Sequence, residues 1–194
     1  IVLRFVMNRI AIFASGNGTD ARRIIHYFKE SNTAISLIVC NKESAFVLKR
    51  AEKENIPTLL INKDMFYKTE EIVTRLLNEK IDLIVCAGFL WKIPDNILRT
   101  FYNKVINIHP ALLPKFGGKG MYGIHVHKAV IEAGEKESGI TIHYLNEHYD
   151  EGEVILQKKC KVEKNDTPEA LAKKIHELEY EWCPKAIEKI LTKE

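Results

Sequence analysis

Short, continuous apolar runs alternate with segments of helical periodicity along most of this chain, and that alternation restricts the fold more than any other feature. The runs Arg9 to Ala14, Ala34 to Cys40, Pro57 to Ile61, Asp82 to Ala87 and Val105 to Ile108 read as strands. Ala34 to Cys40 in particular is apolar throughout, as a strand covered on both faces must be. Between them lie helical patterns: one with Ile24, Ile25 and Phe28 on a single face, then Glu43 to Glu54, Asp64 to Asn78 and Pro94 to Phe101. Repetition of this kind predicts an α/β, Rossmann-like fold, with a mostly parallel sheet, right-handed crossovers and helices on both faces. Further on the pattern changes. Helix-like His125 to Ala133 precedes two β-like runs, Gly139 to Leu145 and Glu153 to Val162, and the short turn expected between them predicts an antiparallel sheet edge. A closing helix begins near Thr167, whose hydroxyl can cap it, with Pro168 at the first helical position.

A chain of 194 residues, 46% of them hydrophobic, has enough apolar surface for one well-packed domain. Met7-Asn8-Arg9 reads like a natural beginning, so residues 1–8 are taken as an upstream remnant plus start and 9–194 as the single domain. The net charge of +3, from 29 basic and 26 acidic residues, is nearly balanced. Lys and Arg form no stripe, which argues against a nucleic-acid partner. No secretory signal and no bilayer-length apolar run is present. The four cysteines, Cys40, Cys86, Cys160 and Cys183, form no C-x-x-C pair. Cys40 and Cys86 lie inside apolar runs, where cysteine behaves as a small hydrophobe. A reduced, cytoplasmic protein with no membrane partner is expected.

Open α/β sheets bind ligands beyond the carboxyl ends of their strands. Ser15 to Asp20, Gly88 to Ile93 and Asn107 to Pro114 each follow an expected strand directly. Gly16-x-Gly18 between strand and helix can offer backbone N–H groups to a phosphate, or it can be a plain turn. It lacks the third glycine of the dinucleotide fingerprint. Asp20 suits a helix N-terminus but repels a bound phosphate. Asn107 and His109 stand two apart and can point the same way if the strand persists through them. An amide beside an imidazolium can stabilise a developing oxyanion. The carboxylate that would raise the His109 pKa must come from elsewhere; Asp150 is one candidate, and a simple turn acid beside Gly152 is the alternative. His125-Val126-His127 lacks an evident third ligand and His143 alternates within a strand, so no metal site is expected.

The segments Ala14 to Thr19, Ala87 to Leu90, Asn107 to Phe116, Gly139 to Tyr144 and Gly152 to Gln157, taken together and in order, resemble the folate-dependent formyltransferases of the glycinamide ribonucleotide (GAR) type. The resemblance runs from Arg9 almost to the C-terminus. It implies transfer of the formyl group of 10-formyltetrahydrofolate, the co-substrate, to the amino group of GAR, a step of de novo purine (IMP) biosynthesis, in a monomer or homodimer. It implies that Asn107 and His109 stabilise the tetrahedral intermediate, while Asp150 raises the His109 pKa and relays protons through water. By the same resemblance Gly18, Thr19 and the position of Asp20 hold the substrate phosphate, and Glu179 contacts the ribose, the alternative for Glu179 being an exposed helix charge. Lys68, Leu90, Trp91, Lys92 and Ile93, with Asn107, would bind the folate, although Trp91 and Ile93 also suit ordinary core packing. Methionyl-tRNA formyltransferases and formyltetrahydrofolate hydrolases share the Asn, His and Asp set. A noncatalytic nucleotide-binding module would leave that set without a role. Asp20 and the pair Trp91-Lys92 depart from the usual family residues. The stretch Phe116 to Ile124, with four glycines, is longer than in many members and suggests a mobile flap near the site, the alternative being a passive surface insertion.

Overall fold

The computed structural model describes residues 7–192; Ile1 to Val6, assigned above to an upstream remnant, lie outside the described residues. Among these residues the strands are β1 (Asn8–Phe13), β2 (Thr33–Cys40), β3 (Thr58–Leu60), β4 (Leu83–Cys86), β5 (Val105–His109), β6 (Glu137–Tyr144) and β7 (Val154–Lys161). The helices are α1 (Thr19–Phe28), α2 (Phe46–Lys53), α3 (Lys63–Lys68), α4 (Glu71–Asn78), α5 (Asp95–Thr100), α6 (Ile124–Glu132) and α7 (Pro168–Leu191). The sheet is mixed and seven-stranded, in the order β3-β2-β1-β4-β5-β6-β7, parallel for most of its width with an antiparallel edge, as the sequence predicts. The chain divides into two compact units, residues 1–105 and 106–194.

In the first unit β1 pairs in parallel with β2 and β4, and β2 with β3. Ile10 to Phe13, Leu37 to Cys40 and Leu83 to Cys86 are all buried. Cys40 and Cys86 are free thiols inside this core, and burial pushes both thiols above their ordinary pKa. The helix α1 packs through Ala21, Ile24, Ile25 and Phe28, the face read from the sequence. One expectation needs correcting, because the helical pattern from Asp64 to Asn78 is two helices. Thr69 sits extended between them, where its hydroxyl donates to the Met65 carbonyl (3.0 Å) and accepts from the Glu71 N–H (3.3 Å). A side chain that satisfies one helix end and opens the next offers the backbone an alternative to continuous helix.

In the second unit β5 pairs antiparallel with β6, and β6 with β7. The link from β6 to β7 is residues 145–153, longer than the short turn expected. Strand β5 runs one residue further than expected, to His109. The Thr167 hydroxyl accepts from the Ala170 N–H at 3.2 Å with Pro168 in the first turn, so the capping read from the sequence is present. Leu171 and Ile175 of α7 join Val130, Ile140 and Val162 in a buried cluster; each such side chain contributes about 1.5–3 kcal/mol on burial. No helix among the described residues is long and apolar enough to cross a membrane.

Candidate active site

The second unit brings Asn107, His109 and Asp150 together. Asn107 and His109 face the same way from β5, and their antiparallel partners on β6 are His143 and Thr141. Asp150 reaches them from the 145–153 link, in a left-handed conformation (φ 55°), which aspartate tolerates better than most residues. Any side chain at Gly152 would collide with the Tyr144 carbonyl, so glycine lets this link close tightly on β6. One carboxylate oxygen, Oδ1, lies 3.5 Å from Asn107 Nδ2 and 3.6 Å from His143 Nε2. The other, Oδ2, accepts the Gly118 N–H at 2.8 Å and lies 3.7 Å from His109 Nδ1.

His109 is buried, and its Nε2 is 2.8 Å from the Phe116 carbonyl. A carbonyl only accepts, so Nε2 carries the proton. Burial lowers the His109 pKa; Asp150, the Phe116 carbonyl and Glu179 pull it up without overcoming burial, and His143 lowers it further. Asp150 does act in the direction the resemblance implies, but the net shift is downward, and His109 rests as a neutral imidazole at neutral pH. Burial also pushes the Asp150 carboxyl up, but the contacts from His143 and the Gly118 N–H, with His109 beside them, outweigh it and hold the group below its usual range. Asp150 is therefore a carboxylate.

Beneath this cluster the Thr141 hydroxyl donates to the Ala111 carbonyl (2.7 Å) and accepts from the Leu113 N–H (3.0 Å). Gln157 Nε2 donates to the Leu113 carbonyl at 2.8 Å. These buried bonds hold the chain beyond β5 in place, and buried polar groups without such partners are costly. Glu179 is not an exposed helix charge; it is 5% exposed on α7 and lies 2.8 Å from His176 Nδ1.

In the first unit the residues assigned to ligand binding are organised by backbone. Gly18 caps α1 without a side-chain bond, at φ 71°, and a Cβ there would stand 2.5 Å from Val47 Cγ2. The Arg22 N–H bonds the Gly18 carbonyl (2.9 Å), so the hydrogen-bond ladder of α1 starts at Gly18. Asp20 lies in this first turn. Arg50 grips Asn17 through the carbonyl (2.8 Å) and the side-chain oxygen (2.7 Å), placing a cation beside the loop. Ser15 is buried; its N–H bonds the Gly88 carbonyl (3.1 Å) and its hydroxyl accepts from the Leu90 N–H (2.9 Å), which ties the two loops together. Trp91 belongs to an aromatic group, with ring centroids 5.6 Å from Phe66, 6.1 Å from Tyr67 and 6.3 Å from Phe89. Leu90 and Lys92 are exposed and Ile93 is buried. Lys68 ends α3, exposed, with Asp64 2.7 Å away.

The formyl transferase family profile matches residues 8–187. The chain belongs to the formyl transferase family. It is 40% identical over 174 residues to the chloroplastic phosphoribosylglycinamide formyltransferase of Arabidopsis thaliana, covering 86% of this chain and 60% of that relative. It is 37% identical over 193 residues to the Bacillus subtilis phosphoribosylglycinamide formyltransferase, with 95% of each covered. Among solved structures, the phosphoribosylglycinamide formyltransferase of Bacillus halodurans superposes with a TM-score of 0.86 at 34% identity, with 96% of each chain covered.

For a formyl transferase, the sequence reading missed four participants. His143 is fully buried between Asn107 and Asp150, with Nδ1 donating to the Tyr144 carbonyl at 3.0 Å. Its alternation with Thr141 was the available signal, but only strand pairing shows that the polar face of β6 lies beside Asn107. The Phe116 carbonyl and Gly118 N–H are main-chain groups and leave no trace in side-chain patterns. Arg50 reaches the Gly-rich loop from α2, a contact no local motif encodes. His125 and His127, considered as a metal pair, go separate ways: His125 is exposed against Tyr122 and His127 is buried.

Proposed function

We infer that this formyl transferase moves the formyl group of 10-formyltetrahydrofolate, its co-substrate, to the amino group of glycinamide ribonucleotide, a step of de novo purine (IMP) biosynthesis. The observation that carries the reading is the convergence of Asn107, His109 and Asp150 on one point in the second unit. The substrate amine attacks the formyl carbon, and the carbonyl electrons move onto oxygen. The Asn107 amide and the His109 N–H donate to that oxyanion. The new C–N bond is kept when the bond from carbon to the folate nitrogen breaks, and the proton lost by the amine returns, through water beside Asp150, to the leaving nitrogen. His109 spends charge only while the oxyanion exists. A buried imidazole beside a carboxylate suits that role, because each proton gained is balanced nearby.

Gly18, Thr19 and Asp20 are proposed to receive the phosphate, supported by the left-handed Gly18 at the start of α1 and by Arg50 beside the loop, with Glu179 at the ribose. Lys68, Leu90, Trp91, Lys92 and Ile93, with Asn107, are proposed for the folate, supported by the aromatic group under Trp91. Residues 9–194 are proposed to act as one formyltransferase domain, in a cytoplasmic monomer or homodimer, with small-molecule partners only. The deciding experiment is a formyl-transfer assay with both substrates and a water-only control. GAR-dependent consumption of the folate is expected. Equal consumption without GAR identifies a hydrolase and overturns the reading.

A further inference from the structure

His109 and Asp150 lie 3.7 Å apart (Nδ1 to Oδ2), beyond hydrogen-bonding distance, and the same short segment hydrogen-bonds both. The Phe116 carbonyl holds the Nε2 proton of His109 at 2.8 Å, and the Gly118 N–H occupies Asp150 Oδ2 at 2.8 Å. With Nδ1 turned to Asp150, Nε2 is the only ring N–H left for a formyl oxygen, and a carbonyl oxygen already sits on it. The segment is built for this contact. Phe116 adopts φ 57° and Gly118 φ 96°. Gly117 lies so close to the pair that a Cβ would stand 2.6 Å from Leu113 Cδ2 and 3.2 Å from Asp150 Cβ.

We propose that Phe116 to Gly118 is a self-occupying latch, in which the Phe116 carbonyl stands in for the substrate oxyanion and must leave His109 before formyl transfer can proceed. Release does two things at once. It frees Nε2–H for the formyl oxygen, and it frees Asp150 Oδ2 to accept from His109 Nδ1 when the ring becomes cationic. While the latch is closed the imidazole stays neutral and its partner carboxylate is satisfied by backbone, so the pair is held apart until substrate competes for it. This rests on the formyl-transfer reading above.

The test uses amide hydrogen exchange on the whole wild-type protein, alone and saturated with 10-formyltetrahydrofolate without GAR. The Gly118 amide is expected to be protected in the free protein and to exchange at least about tenfold faster in the complex. Unchanged protection overturns the latch. A second arm assays Gly118→Ala, whose Cβ meets nothing within 4 Å, so it disfavours the left-handed backbone without a clash. Loosening the latch is expected to raise kcat/KM for the folate about fivefold, and a fall or no change overturns the proposal. If wild-type protein shows no formyl transfer, the functional reading itself fails; active wild type with unaltered exchange and kinetics removes only the latch.

Discussion

At the end of β1, residues 15–20 present main-chain groups: a left-handed Gly18, the first turn of α1 and an Arg50 clamp on Asn17. At the end of β5 the candidate groups are side chains, an amide, two imidazoles and a carboxylate, held by cross-strand pairing and a turn more than 40 residues away in sequence (Asn107 to Asp150, 43 apart). A backbone site tolerates changes of side-chain chemistry but not added volume. A side-chain site tolerates little loss of function but has room where groups are removed. The two loops therefore fail under opposite kinds of substitution, and four variants test that contrast.

His109→Ala carries the largest expected effect. Formyl transfer falls by about 10²–10⁴-fold, while GAR binding, measured by calorimetry, is kept; unaltered turnover would remove His109 from the chemistry. Gly18→Ala comes next. It adds a Cβ 2.5 Å from Val47 at a positive φ, so it should cost about 1–3 kcal/mol of stability and weaken GAR affinity, with kcat at saturation nearly intact. A kcat loss equal to that of His109→Ala would erase the distinction between the two sites.

The third variant concerns His127, buried on α6 with Nδ1 unpartnered. Its pKa is pushed down to about 4 by burial, with His176 and His109 adding to the effect. A histidine with a lowered folded pKa binds its proton more weakly when folded. Stability is therefore full above the unfolded pKa of about 6.5 and is lost as pH falls towards about 4. Thermal melts of wild type should show a loss on the order of 2 kcal/mol by pH 5 from this group. His127→Gln should flatten that slope, and an unchanged slope assigns the acid sensitivity to other groups. Smallest is His143→Ala, expected to lower kcat by about tenfold at unchanged substrate KM, since His143 holds Asn107 and Asp150 without standing in for either. A rise in KM alone would place it in binding instead.

Much of the fold was legible because local rules and tertiary demand agree. The apolar runs at Ile10, Leu37 and Leu83 must be buried on both faces, and only a parallel strand under helices accomplishes that. Thr167 and Pro168 announce a helix start by chemistry confined to one turn. The Asp64 to Asn78 pattern misled because its apolar period continues through Thr69, whose hydroxyl competes with the backbone for the same bonds. Within the site, Asn107 and His109 could be paired from strand alternation alone. Asp150 was chemically ambiguous, since a turn acid beside glycine is common.

The sequence by itself determined the fold class and the loops that follow its strands, and it paired Asn107 with His109, while Asp150 stood only as one candidate carboxylate. Tertiary structure alone decided the resting state of the His109 and Asp150 pair. Whether His109 is charged depends on burial against the pull of Asp150, the Phe116 carbonyl and Glu179, and here burial wins. That balance, the buried His143 bridge and the backbone occupancy of His109 by Phe116 are set by distances between segments far apart in the chain. Electrostatic and hydrogen-bond energies change steeply over such distances, which is why no local pattern of residues can specify them.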